Sequence, residues 1–126
     1  TGAFVAPTVI LTPKTADIAK DMEVFGPVFP LIPFETEQEA VEIANQTCYG
    51  LSSGVMTADM GKAVRTAMQL QTGACILGGS GNYRLAHQPF GGYKLSGLGR
   101  EGAVSTLEEM TQQKTISLKG ILNGGL

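Results

Sequence analysis

Apolar and polar positions along the chain fall into short extended runs separated by amphipathic stretches. Val5 to Leu11 has the composition of a short strand, and Pro7 confines it to a sheet edge or a strand start, because proline has no amide to give to a ladder. Asp17 to Asp21 fits a helical turn. Val28 to Phe34 is apolar, and Pro30 and Pro33 exclude helix there and favour an extended segment near an edge. Thr36-Glu37-Gln38-Glu39 has the form of a capping box, in which the Thr36 hydroxyl accepts from the amide of Glu39 while the Glu39 carboxylate reaches back. The helix that follows carries Ala40, Ile43 and Ala44 on one face and is expected to end near Asn45. Gly54 to Thr57 is the next strand candidate.

Asp59 caps a second predicted helix, whose Met60, Ala63, Val64, Ala67 and Met68 fall on one amphipathic stripe. Gly73 is expected to terminate it in the left-handed region. Ala74 to Leu77 is a continuous apolar run of the kind found in fully buried strands. Ala103, Val104, Leu107 and Met110 mark a third helix, and Thr115 to Leu118 an alternating strand. The order strand, helix, strand, helix, strand over residues 28–77 predicts consecutive β-α-β units, hence an α/β fold built on an open, mostly parallel sheet with flanking helices. Ligands in such sheets bind beyond the carboxyl ends of the strands, and the glycine-rich loop after Leu77 leaves from one of those ends. No internal repeat, low-complexity tract or linker divides the chain.

Composition narrows the partners. With 126 residues, 43% hydrophobic and 16% charged, the chain reads as soluble and globular, long enough to bury a core. A net charge of −2 without a basic stripe argues against nucleic acid. No apolar run approaches the ~18 residues of a membrane span, and no signal stretch opens the chain, so no membrane partner and a cytoplasmic location are expected. The opening Thr1-Gly2-Ala3-Phe4 has no initiator methionine and no element start, as if the chain began mid-protein. Cys48 and Cys75 are too few for a disulfide framework; with His87 the only histidine, they read as buried thiols and not as metal ligands. Glycine, at 17 of 126 residues, is concentrated between Gly73 and Gly102, which marks a loop needing positive φ or close backbone approach.

Gly97-Leu98-Gly99-Arg100-Glu101-Gly102 matches the dinucleotide pattern G-x-G-x-x-G, but Gly91 to Ser96 reads as no strand and residues 118–122 supply no acid, so the match is rejected. These glycines instead let the backbone turn tightly beneath a site. Asn45-Gln46-Thr47 is a chance glycosylation pattern, His87 a loop-surface residue, and Cys48 a poor nucleophile without an evident base.

Three longer matches go further. Glu23-Val24-Phe25-Gly26-Pro27-Val28 resembles the E-x-F-G-P-V signature of the aldehyde dehydrogenase family. Ala44-Asn45 with Tyr49-Gly50-Leu51 resembles its A-N-x-x-x-Y-G-L segment, and Pro89 to Glu101 resembles P-F-G-G-x-K-x-S-G-x-G-R-E near its C-terminus. The motifs occur in order and cover essentially the whole chain, which is similar to the C-terminal part of such an enzyme. The resemblance implies that residues 1–112 are the C-terminal part of the catalytic domain and 113–126 an oligomerisation strand and tail, pairing across a homodimer or homotetramer interface.

It also implies roles. Glu23 resembles the glutamate that accepts hydrogen bonds from the nicotinamide ribose hydroxyls of NAD or NADP, and a carboxylate can take both donors. Phe25 resembles the aromatic beside the nicotinamide, and Phe90 an aromatic of the aldehyde funnel. Glu101 resembles a glutamate proposed in some members to relay protons; the alternative is a structural partner for Arg100 or backbone amides. In the family a cysteine thiolate attacks the aldehyde, the thiohemiacetal gives hydride to NAD(P)+, and water releases the acid. That nucleophile would lie upstream of Thr1, so the isolated chain is expected to be inactive. Two departures stand out: Gly78 occupies a position where the family commonly has asparagine, and Lys20 to Glu23 holds one extra residue. Two other readings are a non-catalytic self-associating module and a stand-alone nucleotide-binding module.

Overall fold

Among the described residues, hydrogen bonding divides the strands into three pairs and not one continuous sheet. The computed structural model describes residues 2–120. Strand β1 (Thr8–Leu11) runs parallel to β2 (Val28–Leu31), the connection holding a 3-10 turn at Asp17–Ala19. Helix α1 (Glu37–Asn45) follows, then β3 (Tyr49–Gly50) and β4 (Ser52–Val55). Helix α2 (Met60–Gln69) leads to β5 (Ala74–Leu77), which pairs in parallel with β4 in the register Ser52 to Ala74. β6 (Tyr93–Lys94) pairs antiparallel with β3, and α3 (Ala103–Met110) closes the order.

The α/β class and the β4–α2–β5 unit are as expected. The preceding unit differs, because β2 pairs with β1 and not with β4. Proline explains this. The ladder to β1 uses the carbonyls of Pro27 and Leu31, so alternation turns position 30 toward the opposite edge, where Pro30 has no N–H to offer. β6 corrects the expectation that Gly91 to Ser96 holds no strand: Tyr93 and Lys94 find a partner in Tyr49 and Gly50. Thr115 to Leu118 makes no ladder, contrary to the expected strand, and Ile116 and Leu118 are exposed. The rest of the expected oligomerisation segment, 121–126, lies outside the described residues.

Both long helices start as their sequences dictate. The Thr36 hydroxyl accepts from the Glu39 amide at 3.1 Å. Glu39 reaches back one residue further than the standard box, taking the Glu35 amide at 2.8 Å, and its other oxygen pairs with Lys14 at 2.7 Å. Asp59 accepts from the Lys62 amide at 2.9 Å. These donors hold the Glu39 and Asp59 carboxyls below the usual carboxylate range, the Glu35 amide leading for Glu39 and the Lys62 amide for Asp59. What each contributes is present above the unfolded value near ~4 and is lost as pH falls through the lower folded one.

Burial is sparse. Val41 of α1 and Ala63 of α2 are the buried apolar side chains among the described residues, where α1, α2 and β4 meet. β5 is half-buried, not fully buried as its apolar run led one to expect, because α2 packs on the β4–β5 pair while Ile76 and Leu77 keep partial access to solvent. The expected core does not form within the chain: Phe29 and Phe34, and the stripe Val104, Leu107 and Met110 of α3, stay exposed.

Gly73 also departs from expectation. α2 ends at Gln69 with Leu70 extended, and Gly73 has no positive φ. Its requirement is space, since a Cβ there would lie 1.6 Å from the Gly91 carbonyl oxygen. Gly73→Ala is therefore expected to cost about 1–3 kcal/mol or more, the range for forced overpacking. Gly26→Ala, which adds a methyl where nothing lies within 4 Å, should leave stability nearly unchanged. Urea denaturation of both variants checks this, and equal midpoints would refute the close approach as the reason for Gly73.

Candidate functional site

The loop from Gly78 to Gly102 is folded back on itself by a backbone clasp. Phe90 donates its N–H to the Glu101 carbonyl at 2.8 Å, and Glu101 returns the bond to the Phe90 carbonyl at 2.7 Å. Between them the chain must reverse tightly, and Gly97 and Gly99 adopt φ of 128° and 70°, with Gly102 just beyond the clasp at 143°. This is the role expected for the glycine run. Arg100 staples the reversal from inside: its Nη1 donates to the carbonyls of Gly92 (3.2 Å) and Gly99 (2.7 Å), and its guanidinium lies 5.5 Å from the Tyr93 ring centroid.

Phe90 and Glu101 are thus brought together, and the structure adds a residue that sequence reasoning missed. Arg84 places its guanidinium 4.1 Å from the Phe90 ring centroid, and its Nη1 lies 2.9 Å from Glu101 Oε1. The partner of the Glu101 carboxylate is Arg84 and not Arg100. Phe90, Arg84, Tyr83, Gln88, Ile76 and Cys75 line a cavity of about 260 Å³.

Glu23 and Phe25 lie elsewhere. Glu23 lines a cleft of about 470 Å³ with Tyr49, Ser53, Thr72 and Ser96, and Phe25 is 93% exposed. The two cavities flank one strand pair. Ser52 and Ser53 of β4 face the first, and their cross-strand partners on β5, Ala74 and Cys75, line the second. Of the expected site residues, the structure therefore brings Phe90 and Glu101 together, while Glu23 lines a separate cleft and Phe25 lines neither cavity.

Further residues of the resembling motifs hold the site's frame. Asn45, the last residue of α1, donates to the Gln69 carbonyl at 2.8 Å and accepts from the Gln71 amide at 2.8 Å, bridging the end of α2. Lys94 Nζ donates to the carbonyls of Asn45 (2.7 Å) and Thr47 (2.8 Å), the orphan acceptors beyond α1. The Ser96 hydroxyl accepts from the Gly50 amide at 2.9 Å. Their presence inside motifs was the available signal. Nothing in residue type alone distinguishes such a brace from a surface polar residue.

The expectation of two buried thiols is not met; both cysteines are half-buried free thiols. Asp21, within the segment carrying the extra residue, accepts the Cys48 amide at 2.6 Å, and this bond lowers its carboxyl. Burial first, then the Asp21 carboxylate, push the Cys48 thiol up. That is the wrong direction for a nucleophile. The charge of a Cys48 thiolate, followed by burial and by Glu23 and Asp21, raises Tyr49 as well.

A family model described as "Aldehyde dehydrogenase family" matches residues 1–116. The chain is 43% identical to 4-trimethylaminobutyraldehyde dehydrogenase A of Danio rerio over 117 residues, 91% of this chain and 22% of that protein. It is 42% identical to lactaldehyde dehydrogenase of Methanococcus maripaludis over 119 residues, 94% of this chain and 25% of that protein. Among solved structures, glyceraldehyde-3-phosphate dehydrogenase GapN of Methanocaldococcus jannaschii, complexed with NADP, superposes with a TM-score of 0.83 at 40% identity. It covers 90% of this chain and 25% of that one. The chain thus spans about a quarter of the length of the curated relatives it matches.

Asp21→Asn removes the carboxylate beside Cys48 and keeps the side chain's shape. Mildly alkaline alkylation of Cys48 by iodoacetamide, followed by mass spectrometry, should then run faster than in the parent chain, because more thiolate is present at a given pH. An unchanged rate would mean that burial alone sets the thiol.

Proposed function

The chain belongs to the aldehyde dehydrogenase family, and from that premise we propose that it forms one wall of an NAD(P)-dependent aldehyde-oxidising site in a longer polypeptide. The observation that carries the reading is the clasp of Phe90 and Glu101, which presents an aromatic ring and a carboxylate side by side on the loop leaving β5. The nucleophilic cysteine and the base that activates it are assigned to sequence that this chain does not contain.

Each residue has a physical task in this reading. Glu23 is exposed at a cleft rich in hydroxyl groups, so its carboxylate is free to accept from two ribose hydroxyls at once and to fix the orientation of the ring they carry. The Phe25 ring, almost fully exposed, is free to lie flat against a nicotinamide and limit its swing. Bound NAD or NADP supplies the hydride acceptor. Phe90 offers an apolar wall beside the aldehyde, and Glu101, ion-paired with Arg84, is the candidate for a proton relay. The exposed Ile116 and Leu118, together with the open apolar stripe of α3, favour assembly into a homo-oligomer. Two free thiols are in keeping with a cytoplasmic home.

The test compares the isolated chain with the polypeptide that includes its upstream part, following NAD(P)H formation from an aldehyde. The chain alone is expected to be silent and the longer polypeptide active. Glu23→Gln in the active form should raise KM for the cofactor about tenfold, as loss of a charge-assisted hydrogen bond implies. A longer polypeptide that forms no NAD(P)H with any aldehyde would overturn the reading.

A further inference from the structure

The surroundings of Phe90 carry information about the substrate that the family alone does not. A ring lining an aldehyde funnel could attract a cationic substrate through its face. Here that face is already taken, because the Arg84 guanidinium lies 4.1 Å from the ring centroid. A quaternary ammonium group approaching it would meet a like charge. Arg84 itself is held in two ways, by the ring face and by the ion pair of its Nη1 with Glu101 at 2.9 Å. Glu101 uses one nitrogen. The guanidinium has five N–H donors, and those on Nε and Nη2 have no protein partner among the described residues. Arg84 also lines the cavity of about 260 Å³, a volume suited to a small headgroup, since pockets for drug-sized ligands begin near ~300 Å³.

We propose that Arg84 is a specificity-determining residue that selects aldehydes whose far end carries a carboxylate or phosphate. The free edge of the guanidinium takes two oxygens of the anion side by side, the geometry that a planar fork matches and an ammonium does not. Phe90 sets the orientation of the fork, and Glu101 stays on Nη1 as its counter-ion. The inference rests on the aldehyde-oxidising reading above for its substrate. It separates this chain from the quaternary-ammonium aldehyde for which one of its relatives is named.

The experiment uses the polypeptide containing this chain, with Arg84→Gln and Arg84→Lys. Its first arm is calorimetric binding of succinate and of 3-phosphoglycerate, which needs no turnover and shows which anion the site takes. Arg84→Gln should weaken binding of the preferred anion about tenfold or more, and Arg84→Lys, which keeps the charge but loses the fork, by less. The second arm is the ratio of kcat/KM for succinic semialdehyde to that for butyraldehyde, or for glyceraldehyde 3-phosphate to that for glyceraldehyde if phosphate is preferred. This ratio should fall by a similar factor in Arg84→Gln. A parent protein that binds neither anion, a Gln variant that binds them equally well, or an equal loss on charged and neutral aldehydes would each overturn the proposal. If Arg84-dependent binding persists while no aldehyde is oxidised, the anion site stands and the enzymatic reading falls.

Discussion

The Lys94 side chain joins parts of the chain that are far apart in sequence. Its ammonium sits on the carbonyls of Asn45 and Thr47, where α1 has run out of amides to satisfy them. To reach them its own backbone takes φ of 54°, the one described non-glycine residue with positive φ. L-residues resist that conformation. Two charge-assisted bonds to otherwise unpaired carbonyls offset the strain. Because Lys94 belongs to β6, the same contact sets β6 against β3, with Leu95 donating to the Cys48 carbonyl at 3.0 Å and Ser96 receiving the Gly50 amide. The loop bearing Phe90 and Glu101 is thereby anchored to the joint between α1 and β3, while Asn45 ties that joint to the end of α2.

Local signals were legible wherever a short stretch decides the outcome. Thr36 and Asp59 begin their helices as cap residues should, and the apolar spacing of α2 and α3 marks them within a residue or so. Pairing was less legible. Pro30 declares that β2 has one good edge, but which strand occupies it depends on chain far away. Gly73 was read as a helix terminator because glycine there fits a local rule, whereas its cause is the carbonyl of Gly91. The site divides in the same way. Phe90 and Glu101 were legible from a motif, but Arg84 carries no pattern of its own, and only the folded loop sets it between them.

Exposure and chemistry also belong together. A domain of this length ordinarily buries more than one valine and one alanine, and the aromatic rings left open here include the one assigned to the nicotinamide. Elements that look half-finished in the chain, such as the α3 stripe and β2 with Phe29 and Leu31, share a physical character: each carries apolar side chains that the described residues leave exposed. Sites built from such pieces gain their dryness only when the remaining walls arrive. The polar braces that shape the Phe90 loop are by contrast complete within the chain.

The missing amide at Pro30 reaches beyond strand order. A parallel pair with apolar side chains and a free rim is the kind of surface on which neighbouring molecules stack into fibres, and β2 carries exposed Phe29 and Leu31 on such a rim. With no hydrogen to give at its centre, that rim offers an incoming strand an interrupted row of donors, and an added layer would begin with a gap. One imino acid thus guards an exposed apolar border.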